Sequence, residues 1–138
     1  MLETYGKNVA VVTNQSIPFN SVSIQKGCTA IKTSADTIQL NKCGVYMVEF
    51  DCSGSITGTT AGTISVQLAK DGVLQPQAFT SSTPTANTDI RSMSFNTLVQ
   101  VKESNSCKCC DSPTVITLVN TGLDATYTQV NATVTKIC

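Results

Sequence analysis

Cysteines are the residues of this sequence best suited to chemistry, and three of them fall within four positions. The segment "ESNSCKCCDSP" carries Cys107, Cys109 and Cys110 in a chain of 138 residues with seven cysteines and no histidine. Thiolates bind zinc or iron, pair as disulfides or act as nucleophiles. A nucleophile is the weakest of these interpretations, because no histidine is present to activate a thiol or a hydroxyl.

The alternating direction of the predicted strands places further cysteines close to this segment in space. The runs "TAIKT" and "DTIQL" are predicted to form a hairpin that places Ile31 opposite Leu40 and Cys28 opposite Cys43. Cys43 also precedes the strand "GVYMVEF", and in an antiparallel meander the start of that strand shares its end of the sheet with the connection that follows "NTLVQV". The sequence therefore predicts five cysteines at one end of the fold: Cys28, Cys43, Cys107, Cys109 and Cys110.

Three kinds of site remain open for these five cysteines. A structural zinc or iron ion would take four thiolates and order the loop, although C-x-C-C is not the spacing of a common zinc knuckle. Disulfides, either between Cys28 and Cys43 or across the loop, would stiffen a protein that leaves the cell. Free thiols are the third alternative. Cys52 continues an inward-facing series and is predicted to be a buried thiol, whereas nothing in the sequence places Cys138.

The elements that must position these cysteines are all strands. Apolar and polar residues alternate with period two throughout, and no helical periodicity is convincing. The Asp71-Gly72 pair predicts a two-residue hairpin turn. About eight to ten short strands at this spacing are typical of an antiparallel sandwich or jelly roll. The inward-facing residues predicted for its core are Tyr46, Val48, Phe50, Ile64, Val66, Leu68, Phe95 and Val99.

Charge and motifs argue against several function classes. Nine basic and nine acidic residues cancel, and charged residues make up 13% of the chain, so the basic surplus expected of a nucleic-acid binder or a charge-held membrane protein is missing. No phosphate-binding glycine motif occurs. Glu49 and Asp51 share one face of a strand and are interpreted as a solvated outer face rather than an acid/base pair. The sequence predicts no enzyme and no cofactor beyond the possible thiolate-bound metal.

One segment resembles a known family. The order "F-N…D-T-I-x-L…G-V-Y-x-V-x-F" within "PFNSVSIQKGCTAIKTSADTIQLNKCGVYMVEF" is similar to the tumour-necrosis-factor-like (TNF-like), complement-type globular-head jelly roll. It looks closest to collagen-like spore-surface domains and small phage virion proteins. The similarity continues through "GTISVQLAKDGVLQPQA", the late strands and "ATVTKIC". The chain departs from that pattern in its cysteine insertion and in the lack of a Gly-X-Y stalk.

The resemblance implies a compact homotrimer with its C-terminal strand near the threefold contact. We expect a TNF-like domain over residues 9–138, preceded by an attachment segment at 1–8. The expected role is a non-enzymatic phage structural protein, such as a head fibre, capsid decoration or minor virion component, assembled in the bacterial cytoplasm. Expected partners are the protein itself, another virion protein and a host surface glycan, but neither nucleic acid nor membrane. The alternative is a receptor- or carbohydrate-binding adhesin on a phage tail or a bacterial or spore surface.

Overall fold

A computed structural model describes residues 1–102 and 113–138, and within these ranges the chain forms strands and no helix. Alternating apolar and polar residues produce this result, because a strand places successive side chains on opposite faces. The strands are β1 Leu2–Val11, β2 Gln15–Ser16, β3 Ser21–Gln25, β4 Ala30–Lys32, β5 Ile38–Leu40, β6 Gly44–Ile56, β7 Ile64–Lys70, β8 Val73–Ser82, β9 Arg91–Val101, β10 Thr114–Asn120 and β11 Ala125–Lys136.

The strands form two antiparallel sheets. One sheet has five strands in the order β3-β1-β11-β6-β9, and the other has the order β4-β5-β10-β7-β8 with the short β2 paired to β10. The expected all-β sandwich is confirmed. In the part of the chain that is described, no helix is long and apolar enough to cross a membrane.

The two sheets enclose one hydrophobic core. Seven of the residues predicted for it are buried, and Phe95 is half-buried and packs against the core, with its ring centroid 5.4 Å from that of Phe50. The clean alternation in β6 accounts for this agreement, because Tyr46, Val48 and Phe50 point inward while Glu49 stays exposed. Burial of such side chains stabilises the fold by about 1.5–3 kcal/mol each.

The predicted turn at Asp71-Gly72 joins β7 to β8. Lys70 pairs with Val73 across it, and Asp71 and Gly72 have φ values of 50° and 82°. A two-residue turn with positive φ at both central positions matches the right-handed twist of the flanking strands. The Asp71 carboxylate also accepts a hydrogen bond from the Val115 amide at 2.9 Å, so the turn is fixed to β10.

Strand β1 begins at Leu2, seven residues before Val9, where the sequence placed the start of the domain. Residues 2–8 belong to β1, where Leu2 and Thr4 are fully buried. The sequence suggested a shorter strand because only "NVAVV" is continuously apolar, whereas the earlier residues alternate. Leu2 pairs with Val134 near the end of β11, so residues 1 and 138 lie at the same end of the sandwich. Attachment through residues 1–8 stays a prediction.

Candidate functional site

Strand pairing brings both ends of the β9–β10 connection to the end of the sandwich where β6 begins. Gly44, the first residue of β6, pairs with Val101 at the end of β9. Thr114, at the start of β10, pairs with Leu40 at the end of β5. Cys43 directly precedes β6. The connection therefore leaves and re-enters the fold beside Cys43.

Two more cysteines lie at this end. The Asn41 side-chain amide donates a hydrogen bond to the Cys28 carbonyl at 2.9 Å, and the Ile137 amide donates to the Val45 carbonyl at 2.8 Å, which places Cys138 beside the start of β6. We call this the cysteine end of the molecule, defined by Cys28, Cys43 and Cys138. Cys107, Cys109 and Cys110 lie outside the described residues, so the gathering of five cysteines stays a prediction.

The cysteines of the cysteine end differ in oxidation state. Cys43 is disulfide-bonded, whereas Cys28 and Cys138 are exposed free thiols. The Cys28–Cys43 disulfide considered from the sequence is therefore not formed. Cys138 was missed because its position follows from the pairing of β11 with β6, which no local sequence signal indicates.

The register of the β4–β5 hairpin explains why Cys28 and Cys43 do not pair. Ile31 lies opposite Gln39, not Leu40 as expected. The loop between the strands has an odd number of residues, closed by a Thr33 amide to Thr37 carbonyl hydrogen bond of 3.0 Å. A shift of one residue in register turns every side chain to the opposite face, so Cys28 and Cys43 are not cross-strand neighbours.

Cys52 lies in the core, as its place in the β6 alternation predicted. It is 5% exposed, and burial, assisted by the nearby Asp51 carboxylate, raises the pKa of its thiol to about 12. A thiol with so high a pKa is protonated and unreactive near neutral pH. Within the described ranges no group of three or more cysteine, histidine or acidic side chains is arranged to hold a metal ion.

The outer face of the five-stranded sheet carries three carboxylates. Glu3 and Glu49 both lie opposite Thr133, while Asp51 lies opposite Asn131. Partial burial raises the pKa of Asp51, and repulsion from Glu3 and Glu49 adds to the effect. The sequence grouped Glu49 with Asp51 on a solvated face, but only the fold brings Glu3 to them.

A shallow polar groove of about 310 Å³ continues along this face. Asp51 and residues of β6, β9 and β11 line it, including Ser92, Ser94 and Gln129. A second depression of about 310 Å³ lies at the end opposite the cysteine end, between the β6–β7 loop and Asp124. Asp51 and Cys52 are the titratable side chains that line the groove, and Asp124 is the one that lines the second depression, among the described residues.

Exposed apolar side chains gather along one side of the sandwich. β8 and β9 are the last strands of their sheets and contact each other there. We call this side the β8–β9 edge, defined by Val73, Leu74, Phe79, Ile90 and Leu98, which are between 44% and 64% exposed. Pro76 lies within β8 and lacks a backbone donor, which disfavours the addition of another strand along β8.

Comparison with known proteins identifies the fold. No protein-family model matches the chain, and no curated protein sequence matches it. Eiger TNF from S. frugiperda matches with a TM-score of 0.70 at 11% identity, covering 99% of this chain and 92% of that one. Murine APRIL at pH 8.5 matches with a TM-score of 0.65 at 10% identity over 99% and 98%. The fold is a TNF-like jelly roll.

A virion protein shares this fold. The PRD1 vertex protein P5 matches with a TM-score of 0.54 at 18% identity, covering 99% of this chain and 96% of that one. The resemblance expected from the segment around Gly44-Val45-Tyr46 is thereby confirmed for the fold. Identities this low establish architecture alone, because one fold serves many functions.

Proposed function

We propose that this chain is a non-enzymatic structural protein of a bacteriophage particle, acting as a homotrimer in a head fibre, capsid decoration or minor virion component. The TNF-like fold and its presence in a PRD1 vertex protein support a particle role. The exposed apolar side chains of the β8–β9 edge carry the proposal, because they offer a surface for contact with a second subunit.

Apolar residues along the β8–β9 edge favour association with a second copy. Phe79 is 47% exposed and Leu98 is 54% exposed. Phe79 lies opposite Gln67 on β7 and Leu98 lies opposite Met47 on β6, so both edge strands present an exposed apolar side chain. Burial of this edge against another subunit would remove these side chains from water, at about 25 cal/mol for each Å² of apolar surface.

The outer face of the five-stranded sheet offers a surface for that edge. Leu98 lies opposite Met47 on this face, so the edge and the face are continuous. Tyr5 and Met47 are half-buried there in the single subunit. A contact between the edge of one subunit and the sheet face of another is heterologous, and it closes into a ring when the rotation between the subunits allows it. A ring of three matches the homotrimer that the TNF-like resemblance implies.

Light scattering on purified protein tests the trimer directly. We expect the mass of three 14.5 kDa subunits. The double substitution Phe79→Asp with Leu98→Asp places charges on the β8–β9 edge and should yield monomers that keep the β-sheet circular dichroism of the native protein.

A matched control is available at the end of the molecule opposite the cysteine end. Val12 and Leu123 are similarly exposed, at 46% and 44%, and lie away from the β8–β9 edge. Val12→Asp with Leu123→Asp should leave the trimer intact. A native mass of one subunit, or equal dissociation of both double variants, would contradict the proposed association.

The particle role needs a separate measurement. Antibodies against the purified protein should label intact phage particles in electron micrographs at discrete positions. Absence of the protein from purified particles that encode it would contradict this part of the proposal even if the trimer exists.

A carbohydrate-binding adhesin is the second candidate, favoured by the depression opposite the cysteine end. Thr13, Thr59 and Asp124 supply polar atoms at its rim, and Ile56 and Leu123 supply apolar surface. Sugars bind through such mixed surfaces. Saturable binding on a glycan array, abolished by Asp124→Ala, would favour the adhesin. Asp124 also accepts hydrogen bonds from Thr13 at 2.9 and 3.1 Å, so folding of that variant must be checked.

A further inference from the structure

The charges of this chain are segregated although they sum to zero. Lys42 and Lys102 lie beside the Gly44–Val101 pair, and Lys136 lies opposite Tyr46 near the start of β6. Three lysines therefore lie at the cysteine end through strand pairing.

Two further lysines join them. The Lys26 amide donates to the Met1 carbonyl at 2.8 Å beside the start of β1. The Lys70 ammonium donates to the Gln100 carbonyl at 2.6 Å, next to the last residue of β9. Among the described residues, Asp71 is the acidic side chain at this end. Glu3 lies two residues further along β1, on the outer face of the sheet.

Among the described residues, none of the five lysines is paired with a side-chain carboxylate. The ion pair found within the described residues joins Arg91 to Asp89 at 2.8 Å, away from the cysteine end. Lys70 and Lys136 donate instead to backbone carbonyls, and Lys26, Lys42 and Lys102 are exposed. Unpaired ammonium groups of one sign raise the local potential and attract an anionic surface.

Exposed aliphatic side chains accompany the lysines. Met1 and Ile137 are 43% and 48% exposed, and Val73 and Leu74, which also belong to the β8–β9 edge, follow the Asp71-Gly72 turn at the same end. Protein–protein contacts usually combine an apolar centre with a polar rim, and the aliphatic side chains and lysines of this end could supply these two parts. A phosphate backbone offers such aliphatic groups nothing to pack against.

The residue types favour a protein over the other anionic partners. Each of the five basic residues is a lysine, whereas bidentate recognition of phosphate favours arginine. The large exposed hydrophobics at this end are aliphatic, whereas membrane interfaces favour tryptophan and tyrosine, and single-stranded nucleic acid binds by stacking on aromatic rings.

We propose that the cysteine end docks onto an acidic, partly apolar surface of another protein, with Lys26, Lys42, Lys70, Lys102 and Lys136 contacting its carboxylates. This inference rests on the proposed structural role and names the face through which the particle partner is held. In a trimer whose axis runs along the strands, all three cysteine ends point the same way. Three weak contacts then act together, which raises the overall affinity.

Charge reversal at the cysteine end tests the docking surface. The variant Lys42→Glu with Lys102→Glu changes two exposed lysines that make no side-chain hydrogen bond in the structure. The control variant Lys32→Glu reverses a lysine of β4, away from the sheet face that the proposed trimer uses. The probes are an alternating Glu-Leu peptide, poly-glutamate, a DNA duplex and vesicles of phosphatidylcholine with phosphatidylserine, all at physiological ionic strength.

We expect the native protein to bind the Glu-Leu peptide more tightly than any other probe. The cysteine-end variant should bind it on the order of tenfold more weakly, since each exposed charge pair contributes about 0.2–1 kcal/mol and reversal adds repulsion. The control variant should change binding by less than about threefold. The substitution Ile137→Ser should reduce binding of the peptide towards the level of poly-glutamate.

Several results would overturn the docking inference. These are no peptide binding, an equal loss in both charge variants, or tighter binding of the duplex or the vesicles. Light scattering on the same samples separates this failure from that of the proposed function: a native trimer without lysine-dependent binding removes the docking surface alone, whereas a native monomer removes the trimer.

Discussion

At the scale of single residues, Asn120 is the best-connected polar side chain of the core. It is fully buried. Its side-chain nitrogen donates to the carbonyls of Val11 and Leu123, each at 3.0 Å, and its side-chain oxygen accepts from the Tyr127 hydroxyl at 2.8 Å. One amide thus joins the end of β1, the β10–β11 loop and β11, and a buried polar group left without its partner costs about 1–3 kcal/mol.

Tyr127→Phe should therefore lower the free energy of unfolding by about 1–2 kcal/mol, because the Asn120 side-chain oxygen loses its donor. Tyr5→Phe is the matched control, since the Tyr5 hydroxyl makes no hydrogen bond within the described residues. Urea unfolding at one fixed protein concentration measures both variants. Equal stability of the two would show that the buried hydroxyl contributes nothing.

Cys52 makes stability depend on alkaline pH. Its thiol ionises at about 12 in the fold instead of 9.0, so the folded state holds a proton that the unfolded state releases. The contribution is fully present below pH 9 and is lost as pH rises from 9 towards 12. We expect Cys52→Ala to unfold at a urea midpoint that falls less steeply above pH 9 than that of the native protein. Burial also raises the pKa of Tyr127, so part of the fall in the urea midpoint above pH 9 should remain in this variant. A fall as steep as that of the native protein would contradict the role of Cys52.

At the scale of elements, the start of β6 depends on Gly44. Its φ is 138°, a conformation that residues with a Cβ rarely adopt. A Cβ there would overlap the Cys138 carbonyl oxygen and approach Lys136 Cε at 2.8 Å. Gly44 therefore lets the end of β11 pass close to β6 and positions the cysteine end.

Gly44→Ala should destabilise the protein by about 1–3 kcal/mol, through strain in φ and displacement of residues 136–138. Hydrogen exchange should show faster exchange of the Ile137 amide, which bonds the Val45 carbonyl. Gly58→Ala serves as the control, because nothing lies within 4 Å of a Cβ at that position. If both variants behave alike, close approach at Gly44 has no energetic consequence.

Sequence patterns predicted elements well where one physical rule dominated. The alternation of β6 placed Tyr46 and Phe50 inward, and the Asp71-Gly72 pair placed a hairpin, because both signals are local. The β4–β5 register failed because hydrogen bonds among loop residues set it: the Asp36 carboxylate accepts from Ser34 and Thr37. Those bonds fix the length of the loop. The apolar pattern does not determine this length, because each of the two strands has only three residues.

At the scale of the whole molecule, the amino-acid composition did not indicate how the charged side chains are distributed over the surface. A net charge of zero argued against anionic partners, yet strand pairing collects Lys42, Lys102 and Lys136 at one end and three carboxylates on a sheet face. Pairings between residues as distant as Leu2 and Val134 create both groups. Local patterns carry no information on such contacts, which is why the candidate surfaces were less predictable than the fold.

The carboxylates of the outer sheet face should make the proposed trimer tighter in acid. Glu3 on β1 lies near Glu49 and Asp51 on β6. The strands β11 and β9 contribute no titratable side chain to this face, and Lys7 is the basic group on it among the described residues. The pKa of Asp51 is already raised in the subunit, and burial against a neighbour raises it further. Protonation therefore favours association.

Sedimentation between pH 7 and pH 4.5 measures this dependence. Each carboxyl whose pKa rises by about one unit on association strengthens it roughly tenfold in acid. Glu49→Gln with Asp51→Asn should associate at pH 7 as tightly as the native protein does in acid. Association of the native protein that weakens as pH falls would show that the carboxylates bind a basic group of the neighbour instead.

Residues 1 and 138 lie at the same end of the sandwich, and this makes the protein suited to use as a display scaffold. A domain fused before residue 1 or after residue 138 would emerge beside the cysteine end. The loop around Gly58 lies at the opposite end, where added atoms meet nothing within 4 Å. A foreign epitope inserted there would point away from the anchoring side, and a threefold assembly would present it in three copies.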